Sequence, residues 1–442
     1  AEPLVNGGIV YAATLNNTVY ALNQADGSVV WSNHLAAPET GGWQCGGFTQ
    51  GILGTPVIDT LAGRIYVADL EASDDLYRVY GLNLASGAAQ LPTVIPLTIG
   101  DGTFDRTIQQ QRGALAVANG YVYVPFGGRA GDCGSYHGWV VGVPTDGVSP
   151  LKVYETPTTA SGIWAPGGVV IDDATGGVIF ATGNAIPCAG TSDAVVRANG
   201  TLSSTTFFQP QDWSSHWCGP DEDLGSASPI LINPNLAFTS GKYGQGFLLD
   251  PNNLGGVNGQ LFPARSPYVG ADVCVGNHAN ATFGSFAFAN GRVYLECHGH
   301  GVVSLSLNTS TPSFSLCDAI CAAPSWHTVS GTFGPPIVAG GVVWAIDING
   351  SGLWGWDANT GAKFFQSATS FGVNHFVTPS EAGSQLFVPA GTMIRSFVMH
   401  TGAPQVPPVA PVPRASAGQV GAPPAPGRPP APQVSPIPPL PR

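Results

Sequence analysis

The chain has 442 residues, a formal net charge of −12, 60 glycines, 39 prolines and 10% charged residues. Binding to a nucleic-acid backbone needs clustered Lys and Arg, which this balance excludes, and no apolar run reaches the roughly 18 to 20 residues of a membrane-spanning helix. A chain so rich in turn formers, with no convincing amphipathic helix, is expected to be all-β, and its length fits several domains or one large closed architecture.

The chain opens on AEPLV, without Met and already inside a strand-like segment, so a processed or truncated product is expected. Residues 10–31, VYAATLNNTVYALNQADGSVVW, hold three alternating runs separated by a polar turn and an Asp-Gly turn, the pattern of an antiparallel meander. One meander leaves its edges unpaired and an apolar face uncovered, so a single copy is not stable alone. Its central strand recurs as IVYAAT from Ile9, RIYVAD from Arg64, YVYVPF from Tyr121, VIFATG from Val178, LAFTSG from Leu236, RVYLEC from Arg292, VVWAID from Val342 and QLFVPA from Gln385, 43 to 58 residues apart. Each copy follows an apolar strand opened by Pro or Gly and precedes a third strand, with a fourth usually visible after a turn such as ADGS, ASGA or NTGA. Four antiparallel strands repeated eight times predict an eight-bladed β-propeller over residues 1–403, followed by an extended proline-rich tail over 404–442.

The last repeat is expected to contain an inner strand at His375–Pro379, a second at Leu386–Ala390 and a third at Met393–Met399, then HTGA and PQVPPVAPVP. Nothing obvious supplies a fourth strand, because proline cannot donate to a sheet ladder and is tolerated only on an outer edge. The tail completes the blade in cis, the edge stays open, or an extended segment of another molecule adds to it. The third arrangement links copies head to tail, and contacts of that kind that do not close generate filaments. The tail itself favours extended polyproline II and serves as a spacer or a docking arm.

VYAATLNNTVYALNQADGSVVW and VVWAIDINGSGLWGWDANTGAKFF resemble the repeats of pyrroloquinoline-quinone-type, or quinoprotein-like, propellers, and the resemblance covers about residues 1–403. Within that group, SYHGWVVG, SGIWAPGG and DEDLGSASP are similar to a set of secreted bacterial propellers. The resemblance implies the propeller fold. For the dehydrogenases of the group it also implies quinone and calcium, with adjacent cysteines under the cofactor, a Trp floor, an acid and an Asn on calcium, and an Asp base. No Cys-Cys pair and no CxxCH haem site occurs in this chain. No cofactor is therefore expected, with Ca2+ or pyrroloquinoline quinone as the alternative.

Funnel-facing positions in a propeller come from the loops that enter each inner strand. Here these are Gln111, Arg112, Trp164, Asp221, Glu222, Asp223, His278, Asn280, Phe333, Asn374 and His375. Arg112, Trp164, Asp221, Asp223, His278 and His375 are the ligand-binding candidates: an arginine beside an acidic triplet and two histidines suits a metal ion or an anionic sugar. Alternatively, Asp223 and Arg112 serve as inter-blade ion pairs or turn caps. His298 and His300 share a strand face but are too few for a metal site, and His137 is expected to pack at a blade entrance. Neither a GxSxG nor an HExxH motif occurs.

Eight cysteines, Cys45, Cys133, Cys188, Cys218, Cys274, Cys297, Cys317 and Cys321, lie mostly in Gly/Pro-rich loops, which with the scarcity of lysine suggests disulfides and an oxidising compartment. Proximity in sequence pairs Cys317 with Cys321, Cys274 with Cys297 and Cys188 with Cys218, leaving Cys45 with Cys133. The expected function is a secreted or cell-surface, non-catalytic scaffold or binding module, with itself or an extracellular polysaccharide as partner. The alternative is a quinoprotein-like oxidoreductase or a carbohydrate-active enzyme working in the funnel.

Overall fold

The computed structural model describes residues 1–399, apart from 42–47, 97–98, 100–103, 131, 264–269, 275–276, 316–324, 329, 351, 369–372 and 374–375. These residues form an eight-bladed β-propeller of antiparallel sheets. The first blade runs Leu4–Asn6, Ile9–Ala13, Thr18–Asn23 and Val29–His34 from inner to outer strand, in sequence order. The next six repeat that order, with additional short strands in blades three, four and six. The described helical structure is limited to two short turns, Trp213–Cys218 and Leu224–Ser226.

The repeat works through one position. The third residue of each recurring hexamer (Tyr11, Tyr66, Tyr123, Phe180, Phe238, Tyr294, Trp344 and Phe387) is at most 4% exposed. Strand alternation sends this ring to the face that meets the following blade, except in blade four, where Phe180 packs back on Tyr154 of blade three and the adjacent Ile179 faces blade five. The hydroxyls of Tyr11, Tyr123 and Tyr294 donate to the carbonyls of Leu84, Gly200 and Ala358, each in the turn after the third strand of the following blade. Each blade thus covers the apolar face that the previous one cannot bury alone. In blade seven that turn is closed by Asp357, whose carboxylate accepts from the Thr360 and Asn359 amides at 2.8 and 3.0 Å. Gly361 follows at φ +71°, and a Cβ there would press on the Trp326 ring from blade six, so the residue must be glycine for both conformation and space.

Among the described residues the last blade has three strands, Ser380–Ala382, Gln385–Ala390 and Met393–Val398. Its inner strand lies beyond the expected His375–Pro379. The tight turn at Gly383, φ +63°, pairs Ala382 with Gln385 and carries the register back to Ser380 opposite Phe387. The ring closes on blade one by packing: Val10, Leu22 and Phe387 form a shared core, and Gln24 donates to Gln385 at 2.9 Å.

Disulfides join Cys188 to Cys218 and Cys274 to Cys297, as expected, and Cys133 is also disulfide-bonded. The expected partner of Cys133, Cys45, and the Cys317–Cys321 pair lie outside the described residues. The Cys188–Cys218 bridge spans 30 residues and ties a loop of blade four to the segment entering blade five. Replacing both cysteines by alanine is expected to lower stability by about 3–4 kcal/mol through the freed unfolded chain. Urea unfolding of the oxidised proteins measures this, and coincident midpoints would contradict it.

Candidate functional site

In each blade the loop entering the inner strand and the loop joining the second and third strands emerge at the same end, because successive strands are antiparallel. That end carries the polar cluster. Asp223, buried, sits before blade five, and its Oδ2 lies 2.5 Å from the Lys242 ammonium, which comes from the second-to-third-strand loop of the same blade. Its Oδ1 accepts the Asn184 amide N–H at 2.8 Å. With its nitrogen turned to the carboxylates, the Asn184 side chain also donates to Asp223 and, at 3.2 Å, to Asp221. Lys242 donates to the Asp221 carbonyl at 3.1 Å and lies 3.6 Å from its carboxylate.

These groups perturb one another. Burial alone would lower the Lys242 ammonium, but the carboxylates of Asp223 and Asp221 carry it above its ordinary value. Partial burial, with Asp223 nearby, pushes Asp221 up to about 6. Asp193, fully buried and donated to by the Leu224 amide at 3.1 Å, is raised well above the carboxylate range by burial and then by Asp223. Asp132, Asp193, Asp221 and Asn280 all have positive φ, a conformation that Asp and Asn tolerate better than other side chains.

Trp164 lies on glycine: a Cβ on Gly127, Gly162 or Gly183 would collide with its ring, and its indole N–H donates to the Gly128 carbonyl at 3.2 Å. The Arg112 guanidinium sits 5.7 Å from the Trp164 ring and 5.1 Å from Phe376, and Phe376 is 6.2 Å from Phe283. Residues from blades three, four, six and eight therefore meet at this end. Tyr136 donates to Asp132 at 2.9 Å beside them.

Arg112, Trp164, Asp221 and Asp223 lie near one another at this end, and the ion-pair partner of Asp223 is Lys242 and not Arg112. His278 stands at the margin, partly exposed, 3.5 Å from Asp272 and stacked 5.2 Å from Tyr243. Glu222 accepts the Asn280 amide at 2.8 Å. His375 and Asn374 lie outside the described residues. Phe333 is a correction: it is 1% exposed, wedged 5.3 and 5.1 Å from Trp354 and Trp356, because apolar ring packing outweighs a funnel position. Gln111 is buried and bonds the Gly113 carbonyl at 2.7 Å. His137 packs as expected, against Trp139 and the Thr156 carbonyl. His298 and His300 do not share a strand face, because they lie in the turn between Arg292–Cys297 and Gly301–Asn308; His298 meets the Phe283 ring edge-on and His300 is exposed.

Calcium takes about six to eight oxygen ligands. Here the Asp221 and Asp223 carboxylates converge on an ammonium, and among the described residues no three His, Cys, Asp or Glu side chains are grouped to hold a metal. With no adjacent cysteines in the chain, this donor set does not fit a calcium–quinone centre.

Residues 1–171 match the family model described as outer membrane protein assembly factor BamB. No curated protein matches the chain. Among solved structures, the quinohemoprotein alcohol dehydrogenase from Comamonas testosteroni is similar with a TM-score of 0.61 at 16% identity, over 90% of this chain and 70% of that one. BamB from Moraxella catarrhalis gives 0.58 at 12% identity over 91% and 94%, and a europium-containing methanol dehydrogenase gives 0.61 at 13% over 91% and 82%. At these identities the likeness is one of fold, and similar frames carry a redox enzyme in one case and an assembly factor in another. Repeat grammar and blade architecture make the chain an eight-bladed β-propeller, and its residues 1–171 match a model of the pyrroloquinoline-quinone-type repeat.

Proposed function

We propose that this chain is a secreted or cell-surface, non-catalytic scaffold and binding module that assembles head to tail through its last blade. The observation that carries the reading is the strand count: among the described residues the eighth blade ends on its third strand, Met393–Val398, while every other blade has at least four. An edge one position short of its neighbours is a template for an added extended segment. We assign to that edge the sequence PQVPPVAPVP, from Pro404, because proline-rich composition favours extended backbone. Its prolines suit an outer position, because the outer strand of blade two, Ala89–Ile95, already contains Pro92. Supplied by a neighbouring copy, the segment makes a heterologous contact that repeats without closing. The disulfides support the extracellular setting.

Removing residues 404–442 is expected to convert high-mass assemblies of the full chain to single propellers, read as particle mass by light scattering. Equal mass in both forms would overturn the assembly reading. So would a full-length monomer whose truncation lowers only its stability, the signature of a tail that completes its own blade. A second reading, a carbohydrate-active enzyme in the funnel, is favoured by the partly exposed Asp221 carboxyl, held at about 6 where an acid–base catalyst would operate.

A further inference from the structure

Arg112 donates no hydrogen bond and forms no ion pair among the described residues, although its Nε is buried. Its contacts are the rings of Trp164 and Phe376. Aromatic contact holds a guanidinium without using its N–H donors. A half-buried arginine kept in this way has unspent donors in a rigid fork that matches a carboxylate bidentately.

The surroundings narrow the anion. Asp132 and Asp223 are within electrostatic reach of Arg112, and Asp221 within reach of Asp132. Each already has a donor of its own: Tyr136 on Asp132, Asn184 and Lys242 on Asp223, Lys242 on Asp221. A multiply charged phosphate would be repelled by these acids, in a chain that is itself at −12. A singly charged carboxylate flanked by hydroxyls is repelled less, and its hydroxyls offset that repulsion by donating to the remaining carboxylate lone pairs. The Asp221 side chain is 63% exposed.

We infer that Arg112 anchors the carboxylate of a uronic-acid residue, whose hydroxyls donate to Asp132 and Asp221 in the propeller funnel. This site is independent of the assembly through blade eight, which stands or falls on particle mass.

The full-length protein is titrated calorimetrically with trigalacturonate, with the neutral galactotriose and with inorganic phosphate. Binding of trigalacturonate alone is expected, weakened at least tenfold by Arg112→Gln and only partly restored by Arg112→Lys, which keeps the charge but loses the fork. Equal binding of the neutral trisaccharide, preference for phosphate, no binding of trigalacturonate, or an unaffected Arg112→Gln variant would each overturn the inference. Should Arg112→Gln fail to fold, the Arg112 guanidinium nitrogen resonances of the unaltered protein decide: they shift on addition of trigalacturonate, or the site is wrong.

Discussion

Lys242→Met is expected to destabilise the propeller by about 3–5 kcal/mol at pH 7, the cost of leaving a buried carboxylate without its counter-ion. The Asp223 side chain is 3% exposed and its Oδ2 has the ammonium 2.5 Å away. The Asn184 donors cannot replace that charge. The folded-state value of Lys242 is raised, so its contribution is complete below the unfolded lysine value near 10.4 and fades only in strongly alkaline solution. Neutral buffer therefore reads the whole effect. Lys242→Met combined with Asp223→Leu should recover much of the loss, since replacing both partners removes the stranded charge. Urea unfolding of the single and double variants at pH 7 checks both statements. An equal deficit in the single and double variants would mean that lost packing of the lysine stem, and not the charge, is responsible.

How far the sequence went can be judged on particular residues. The aromatic at the third place of each hexamer was visible because it recurs, and the structure buries all eight. Arg112, Trp164, Asp221 and Asp223 were reachable because their loops precede recognisable inner strands. Lys242, Asn184, Asp132 and Tyr136 were missed because they lie on the loops between second and third strands, which the same antiparallel geometry brings to the same end. A signal existed: Lys242 is one of only three lysines in the chain and follows LAFTSG directly. The contact of Arg112 with Phe376 had no such signal, since it joins blades three and eight across the ring and no local pattern encodes it. The displaced inner strand of blade eight has a simpler cause. Apolar and proline content marks the segment before Ser380 as strand-like, whereas the Gly383 turn sets the pairing.

Asp69→Asn is expected to stabilise the protein at neutral pH. Asp69 closes the hexamer RIYVAD on the second strand of blade two and is fully buried, with neither carboxylate oxygen hydrogen-bonded among the described residues. Burial, reinforced by Glu71 and only partly offset by Arg78, pushes its carboxyl up to about 8. Glu71 does not supply a donor, because it is itself engaged by the Tyr80 hydroxyl and by Arg78 at 3.1 Å. The unfolded chain releases this proton near pH 4 while the native state keeps it to about 8. Between those values the native state binds more protons, so stability falls as pH rises, by at most about 1.4 kcal/mol per pH unit. By pH 7 the accumulated penalty is on the order of 2–4 kcal/mol. Asparagine has nearly the same shape and cannot ionise, so the variant should match the unaltered protein near pH 4 and exceed it increasingly up to pH 8. Thermal or urea unfolding across that range reads the slope directly. Equal destabilisation by Asp69→Asn at every pH would show that the neutral acid donates a hydrogen bond which the amide cannot reproduce, and that the buried charge does not set the stability of blade two.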